Sequence, residues 1–276
     1  MSVKSVREDP PQNPASKEEI PLPPTDLPYD DGKPLESNRH CMAMNVLIES
    51  LHQAYRERDD YYASGNMFIY YSSEQVRNQD FRGPDFFAVL NVDGTRERRS
   101  WIVWEEGGRY PDAIVEFMSP STANVDKREK KRLYGETFRT RDYFVYDPFD
   151  GESLQGWNLQ GTGEYEDLTP NEQGWLWCES LGLWLGTWEG TILKETAIWL
   201  RFYDRAGNLV LLAQEERDLE RERAEQERER AEREQERAEQ ERQQREQAEA
   251  TLAAERQKNQ QLRDRLLQMG VDPDSL

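Results

Sequence analysis

Large apolar residues are spread unevenly along these 276 residues, and that unevenness decides which part of the chain can build a core. From Gln214 onward almost none occurs before Leu252, while 13 Lys+Arg stand against 19 Asp+Glu. Residues 1–36 hold Pro10-Pro11, Pro14, Pro21, Pro23-Pro24, Pro28 and Pro34 with no regular apolar pattern. Such a segment cannot bury enough surface to offset the entropy of ordering it, so it reads as a disordered, proline-rich leader. A core is therefore expected in residues 37–205 alone, with 206–276 forming a charged helix. One substantial domain plus appendages also fits the length.

Inside the core segment the pattern alternates. Met42, Val46, Leu47, Leu51, Ala54 and Tyr55 recur at helical spacing and predict an amphipathic helix of about 20 residues from Asn38, ended by Ser64-Gly65-Asn66. Strand-like runs follow at Met67–Tyr71, Asp85–Val92, Trp101–Trp104 and Ala113–Met118, separated by turns at Gly83-Pro84, Asp93-Gly94 and Gly107-Gly108. After Ser119-Pro120-Ser121-Thr122 the spacing predicts a helix from about Asn124 to Arg139. Tyr143–Tyr146 is the next strand. From Ser153 to Asp204 short tryptophan-rich pieces alternate with turns and read as a β-meander that caps or extends the sheet. Helix, strands, helix, strand and meander together predict an α/β (α+β) domain.

The tail repeats Ala224, Ala231, Ala238, Arg245, Leu252, Asn259 and Leu266 every seven residues. Through Gln244 the companion core position would hold Glu or Arg, which a coiled-coil seam rejects. Pairs such as Glu220–Arg223, Glu227–Arg230 and Glu239–Arg242 instead support a solvated helix, each by about 0.2–0.5 kcal/mol. Only the end, with Leu252, Asn259, Leu262, Leu266 and Met269, offers a weak coiled-coil contact to a partner helix or a second copy.

Several function classes are disfavoured. Two cysteines, Cys41 and Cys178, are too few and too far apart for a disulfide framework or a thiolate metal site. With only His40 and His52, a zinc site is also not expected. No run approaches the roughly 18 apolar residues of a membrane span, and the N-terminus lacks the apolar segment of a secretory signal. A cytoplasmic protein without membrane contact is expected. The net charge of −19 opposes broad electrostatic binding of nucleic acid, since phosphate neutralisation dominates that affinity. A local basic patch would have to suffice.

Two carboxylates stand out against this background. Asp85 follows a Gly-Pro turn and opens the run Phe86–Leu90, and Glu116 lies inside Ala113–Met118 with apolar neighbours on both sides. A carboxylate in such a strand is costly to bury unless an ion pair or a metal compensates it. The plainer reading is a solvent-facing glutamate or a structural ion pair. In the following helix Asp126, Lys130 and Tyr134 are four apart and share one face, flanked by Lys127, Lys131 and Arg132. That basic cluster is the densest in an acidic body, and a cation there would stabilise charge developing on a phosphate.

The order of these motifs resembles the Uma-type restriction endonucleases, which are similar to the wider PD-(D/E)xK nuclease superfamily. The matching stretches are Pro84-Asp85, Val115-Glu116-Phe117-Met118-Ser119-Pro120-Ser121-Thr122, Asp126 with Lys130 and Tyr134, and Tyr143–Pro148. The resemblance covers about residues 40–204. It implies a restriction-endonuclease-like mixed sheet flanked by helices, and a magnesium-type site with Asp85 and Glu116 as ligands for Mg²⁺ or Mn²⁺. The superfamily's lysine stands two residues after the second acid, where this chain has Met118. Lys130 matches the family's Asp-x-x-x-Lys spacing and takes the lysine role, with Lys127 and Lys131 as alternatives. An acid from the first helix often completes such sites, and Glu49 is the best placed.

The leading expectation is a metal-dependent endonuclease hydrolysing DNA, with Asp85, Glu116 and Lys130 as the catalytic set. The alternative is a catalytically degenerate nuclease fold acting as a scaffold through its charged helix. The two separate on geometry: the first requires the Asp85 and Glu116 carboxylates to face each other with Lys130 aimed at the same spot.

Overall fold

The computed structural model describes residue 27 and residues 37–72, 82–119 and 122–270. The expected leader otherwise lies outside the described residues; Leu27 packs beside Phe68, Tyr70 and Ile102.

Helix α1 spans Asn38–Ala54. The Ser37 hydroxyl accepts the His40 N–H and caps its first turn, which would otherwise leave that donor unpaired. Ala43, Val46, Leu47, Ser50 and Leu51 form its buried stripe, and the Tyr55 N–H closes the last turn on the Leu51 carbonyl at 2.9 Å. The helix is thus shorter than its apolar spacing suggested. Tyr61–Ser64, expected inside it, is strand β1. There Tyr61 and Ala63 are buried while Tyr62 and Ser64 are half-buried, a period of two that a helix cannot satisfy.

Ile69–Tyr70 (β2) and Trp101–Ile102 (β4) form a small parallel pair. The main sheet has six strands in the order β1-β3-β5-β6-β7-β8. Its further members are β3 (Phe86–Leu90), β5 (Ala113–Phe117), β6 (Asp142–Asp147), β7 (Asp150–Leu159) and β8 (Tyr165–Asp167). The β5–β6 contact is parallel and the others are antiparallel, so the sheet is mixed. Parallel neighbours cannot be joined by a tight hairpin. The β5–β6 connection must cross the sheet, and residues 123–138 do so as helix α2.

The centre of the sheet is covered on both faces, which is why β3, β5 and β6 read as continuous apolar runs. On one face Phe87, Val89, Ile114, Met118, Tyr143 and Val145 share a core with Tyr134 and Phe138 of α2. On the other side lie α1 and a second sheet, with Phe86 meeting Phe202 at 5.9 Å between ring centres. That second sheet has the order β11-β10-β9, from Leu176–Cys178 (β9), Leu183–Ile192 (β10) and Glu195–Tyr203 (β11). The expected meander therefore divides: β7 and β8 extend the main sheet, and β9–β11 form a separate one.

Helix α2 departs from ordinary α geometry. Val125–Lys130 and Tyr134–Phe138 are wound as π-helix around a single α-helical turn, Lys131–Leu133. Such i→i+5 winding is rare and concentrates at functional sites.

The chain divides into two compact units between Val210 and Leu211, a few residues beyond the boundary expected from composition. The second unit is dominated by helix α3, Ala213–Gln268. Glu215 accepts the Leu212 N–H at 2.8 Å and places a carboxylate at the positive end of the helix. The expected Glu239–Arg242 pair forms at 3.4 Å, and Glu229–Arg233, Arg237–Glu241 and Arg242–Glu246 add pairs four residues apart. Leu252, Leu262 and Met269 at its far end are exposed. Among the described residues no helix is long and apolar enough to cross a membrane.

Candidate active site

The Gly83-Pro84 turn delivers Asp85 to the start of β3. The antiparallel register pairs Phe86 with Val115, so the position opposite Asp85 is Glu116, on the same face of the sheet. Each carboxylate then reaches the other strand's backbone. The Phe117 N–H donates to Asp85 Oδ2 at 2.7 Å, and the Asp85 N–H points at Glu116 Oε2 at 3.4 Å. Asp85 and Glu116 thus stand opposite each other across the β3–β5 pair, each bonded to the other strand's backbone.

Helix α2 closes over this pair. Residues four apart stay nearly aligned under π winding, as they do in an α-helix, and Asp126, Lys130 and Tyr134 all face the sheet. Lys130 Nζ lies 3.1 Å from Glu116 Oε2 and 2.8 Å from Asp126 Oδ1. The Tyr134 hydroxyl donates to Glu116 Oε1 at 2.7 Å. Glu116 and Asp126 are buried, whereas Asp85 is half-buried and the Lys130 side chain keeps 26% of its exposure. The cluster therefore reaches solvent at the Lys130 ammonium.

The electrostatics follow from three carboxylates gathered around one ammonium. Burial pushes the Asp85 carboxyl well above its usual range, the Glu116 charge adds to this, and the Phe117 N–H and Lys130 offset part of it. Burial alone would weaken the Lys130 charge. The Glu116, Asp126 and Asp85 carboxylates together outweigh it and hold the ammonium above its ordinary pKa. Burial, then Glu116, likewise raises the Tyr134 hydroxyl, which stays protonated and able to donate.

This donor set suits a hard cation. Among the described residues no three His, Cys, Asp or Glu side chains form a ligand cage. Mg²⁺ does not need one, because it is commonly held by one or two carboxylates and completes its shell with water and phosphate oxygens. Asp85 and Glu116 supply such an edge, and the surplus negative charge around them favours a cation.

The structure thus brings together Asp85, Glu116 and Lys130, the three residues singled out from sequence. The other residues weighed from sequence stand as follows. Glu49 is exposed on α1, and the contacts to Glu116 come from Asp85 and from α2. Lys131 lies over the Trp157 ring at 4.0 Å, on the sheet two strands away from β5. Met118 is buried in the core, so the position two after Glu116 points away from any cation role. Asp112 accepts the Leu90 N–H at 2.7 Å and immediately precedes β5. His40 and His52 meet the Met118 carbonyl at 3.3 Å and the Tyr61 hydroxyl at 2.7 Å. Asp126 and Tyr134 are the site residues to which sequence reasoning gave no role; their four-residue spacing from Lys130 was the available signal.

A family model described as "Uma2: Putative restriction endonuclease" matches residues 19–191. Among solved structures, one described as "a putative nuclease belonging to DUF820 from Anabaena variabilis ATCC 29413" is 19% identical, covering 54% of this chain and 84% of that one with a TM-score of 0.35. No curated protein shows a significant match. The strand-borne carboxylates, the helix that closes on them and a family model spanning more than half of the residues lead to one assignment: the chain belongs to the Uma2 family.

Proposed function

We propose that this protein is a metal-dependent endonuclease that hydrolyses DNA phosphodiester bonds. The observation that supports this most is that Asp85 stands opposite Glu116 and Lys130, partly open to solvent, meets Glu116 beneath α2. Asp85 and Glu116 would hold Mg²⁺ or Mn²⁺, which when bound supplies Lewis-acid polarisation of the phosphate and a hydroxide nucleophile at neutral pH. Lys130 is a fixed positive charge on the solvent side of the cluster. A phosphodiester seated there places its oxygens within reach of Nζ, which stabilises the charge that grows on them in the transition state more than in the ground state. Holding the ammonium between Glu116 and Asp126 removes the reorganisation a free lysine would undergo. A second copy, paired through the exposed leucines at the end of α3, would let two sites address opposite strands.

The net charge of −19 and the Met118 substitution favour a second reading, a catalytically degenerate scaffold on the same fold. One experiment decides. Plasmid and single-stranded DNA are incubated with Mg²⁺ or Mn²⁺ and wild type, Asp85→Ala, Glu116→Ala or Lys130→Ala. Cleavage that drops by about 10²–10³-fold or more in each variant supports the nuclease. No metal-dependent cleavage by wild type, or cleavage unchanged in all three, overturns it.

A further inference from the structure

Two side chains in the cluster sit where they can touch neither DNA nor solvent, and their polar atoms are not needed to fill space. Tyr134 is fully buried, with its ring against Phe138 and Tyr143 at 5.2 and 5.3 Å between centres. A phenylalanine would pack there as well and would bury no polar atom, whereas a buried hydroxyl is costly unless it is bonded. The Tyr134 hydroxyl is bonded, to Glu116 Oε1 at 2.7 Å. Asp126, also buried, holds Lys130 Nζ at 2.8 Å, and its backbone carbonyl accepts the Tyr143 hydroxyl at 2.9 Å. The result is a continuous chain of contacts from Tyr143 through Asp126, Lys130 and Glu116 to Tyr134.

We propose that Tyr134 and Asp126 are the positioning residues of this site, Tyr134 orienting the Glu116 carboxylate and Asp126 the Lys130 ammonium. The proposal rests on the nuclease reading above. A glutamate has three rotatable bonds, and a bond to one of its oxygens fixes the rotation that turns the other toward Asp85. With Oε1 held by Tyr134, Oε2 faces the Asp85 backbone and Lys130. Lys130 in turn has four rotatable bonds, and Asp126, one turn earlier on the same helix, fixes the far end. The π winding of α2 belongs to this arrangement, since Asp126 and Tyr134 lie in its two π-wound stretches on either side of the α-helical turn.

The test compares wild type, Tyr134→Phe and Asp126→Asn in the full-length chain. Mn²⁺ binding is read by electron paramagnetic resonance of the free ion, kcat and KM on plasmid DNA, and folding by thermal unfolding. Tyr134→Phe is expected to keep the cooperative transition and to weaken Mn²⁺ binding by about 10–100-fold, the usual consequence of removing an outer-shell partner of a ligand. Asp126→Asn is expected to lower kcat while KM and Mn²⁺ affinity stay near wild type, because it loosens the cation and leaves the carboxylate pair intact. A wild type that binds Mn²⁺ and cuts DNA, beside a folded Tyr134→Phe with the same affinity and an Asp126→Asn with the same kcat, overturns this proposal alone. A wild type that neither binds Mn²⁺ nor cuts overturns the nuclease reading and this proposal with it.

Discussion

Asp112 shows how one carboxyl group can serve the fold and still tax it. Its Oδ2 accepts the Leu90 N–H at 2.7 Å and meets Arg109 at 3.4 Å, so it ties the end of β3 to the start of β5. Burial nevertheless raises its pKa, and the Leu90 N–H and Arg109 offset only part of that rise. For an acid whose folded pKa lies above its unfolded one, the folded state binds the proton more readily. Stability from this group is therefore greatest at low pH and declines as pH rises from the unfolded value through the folded one. Asp112→Asn keeps an acceptor for the Leu90 N–H and removes the charge. Its stability relative to wild type is expected to improve from about pH 4 upward and then level off, as followed by urea unfolding across that range. A difference independent of pH would refute the assignment. The catalytic candidates Asp85, Glu116 and Lys130 were legible as residues because each breaks a local rule, a charge in an apolar run or a basic cluster in an acidic body. Tyr134 broke no rule. An aromatic on an apolar helix face is ordinary, and only the direction of its hydroxyl sets it apart.

At the scale of elements, the turn between β1 and β2 supports the site without touching a reacting group. The Asn66 N–H donates to the Pro84 carbonyl at 2.8 Å, next to Asp85. A Cβ on Gly65 would collide with the Asp85 carbonyl oxygen and the Met44 side chain. Gly65→Ala is therefore expected to displace the start of β3, lowering stability by about 1–3 kcal/mol and lowering cleavage with it. Chemical denaturation and the plasmid assay check both. An alanine variant as stable as wild type would show that the turn yields freely. β1 itself escaped the sequence reading because Tyr61–Ser64 is too short to show its period against the strong helical pattern before it. The π winding of α2 was equally hidden. Four-residue spacing fits both windings, and only the backbone hydrogen bonds tell them apart.

On the scale of the whole molecule, charge separates the chain into two kinds of structure. Unit one buries its apolar residues against two sheets, while α3 has no buried residue and holds its shape through local pairs and high helix propensity. An isolated peptide of residues 213–268 is expected to be roughly half helical or more in dilute buffer. At about 1 M salt its helicity should fall, because screening removes the contribution of pairs such as Glu229–Arg233. Circular dichroism measures this directly. A peptide that is coil at low salt would mean that α3 owes its helix to contacts beyond itself.

Sequence by itself determined which residues could form a core, the tail's helical character, the β3, β5 and β6 strands, and the two acids and the basic cluster as candidates. These follow from period, burial cost and local pairing, all of which act over a few residues. The tertiary structure alone decided that Asp85 stands opposite Glu116 and that α2 crosses above them. It also decided that Lys130 rather than Lys127 or Lys131 meets the carboxylates, and that Tyr134 and Asp126 complete the set. Those outcomes depend on strand register and on a crossover joining parallel strands. Both are settled by contacts between residues far apart in sequence, which no local pattern encodes.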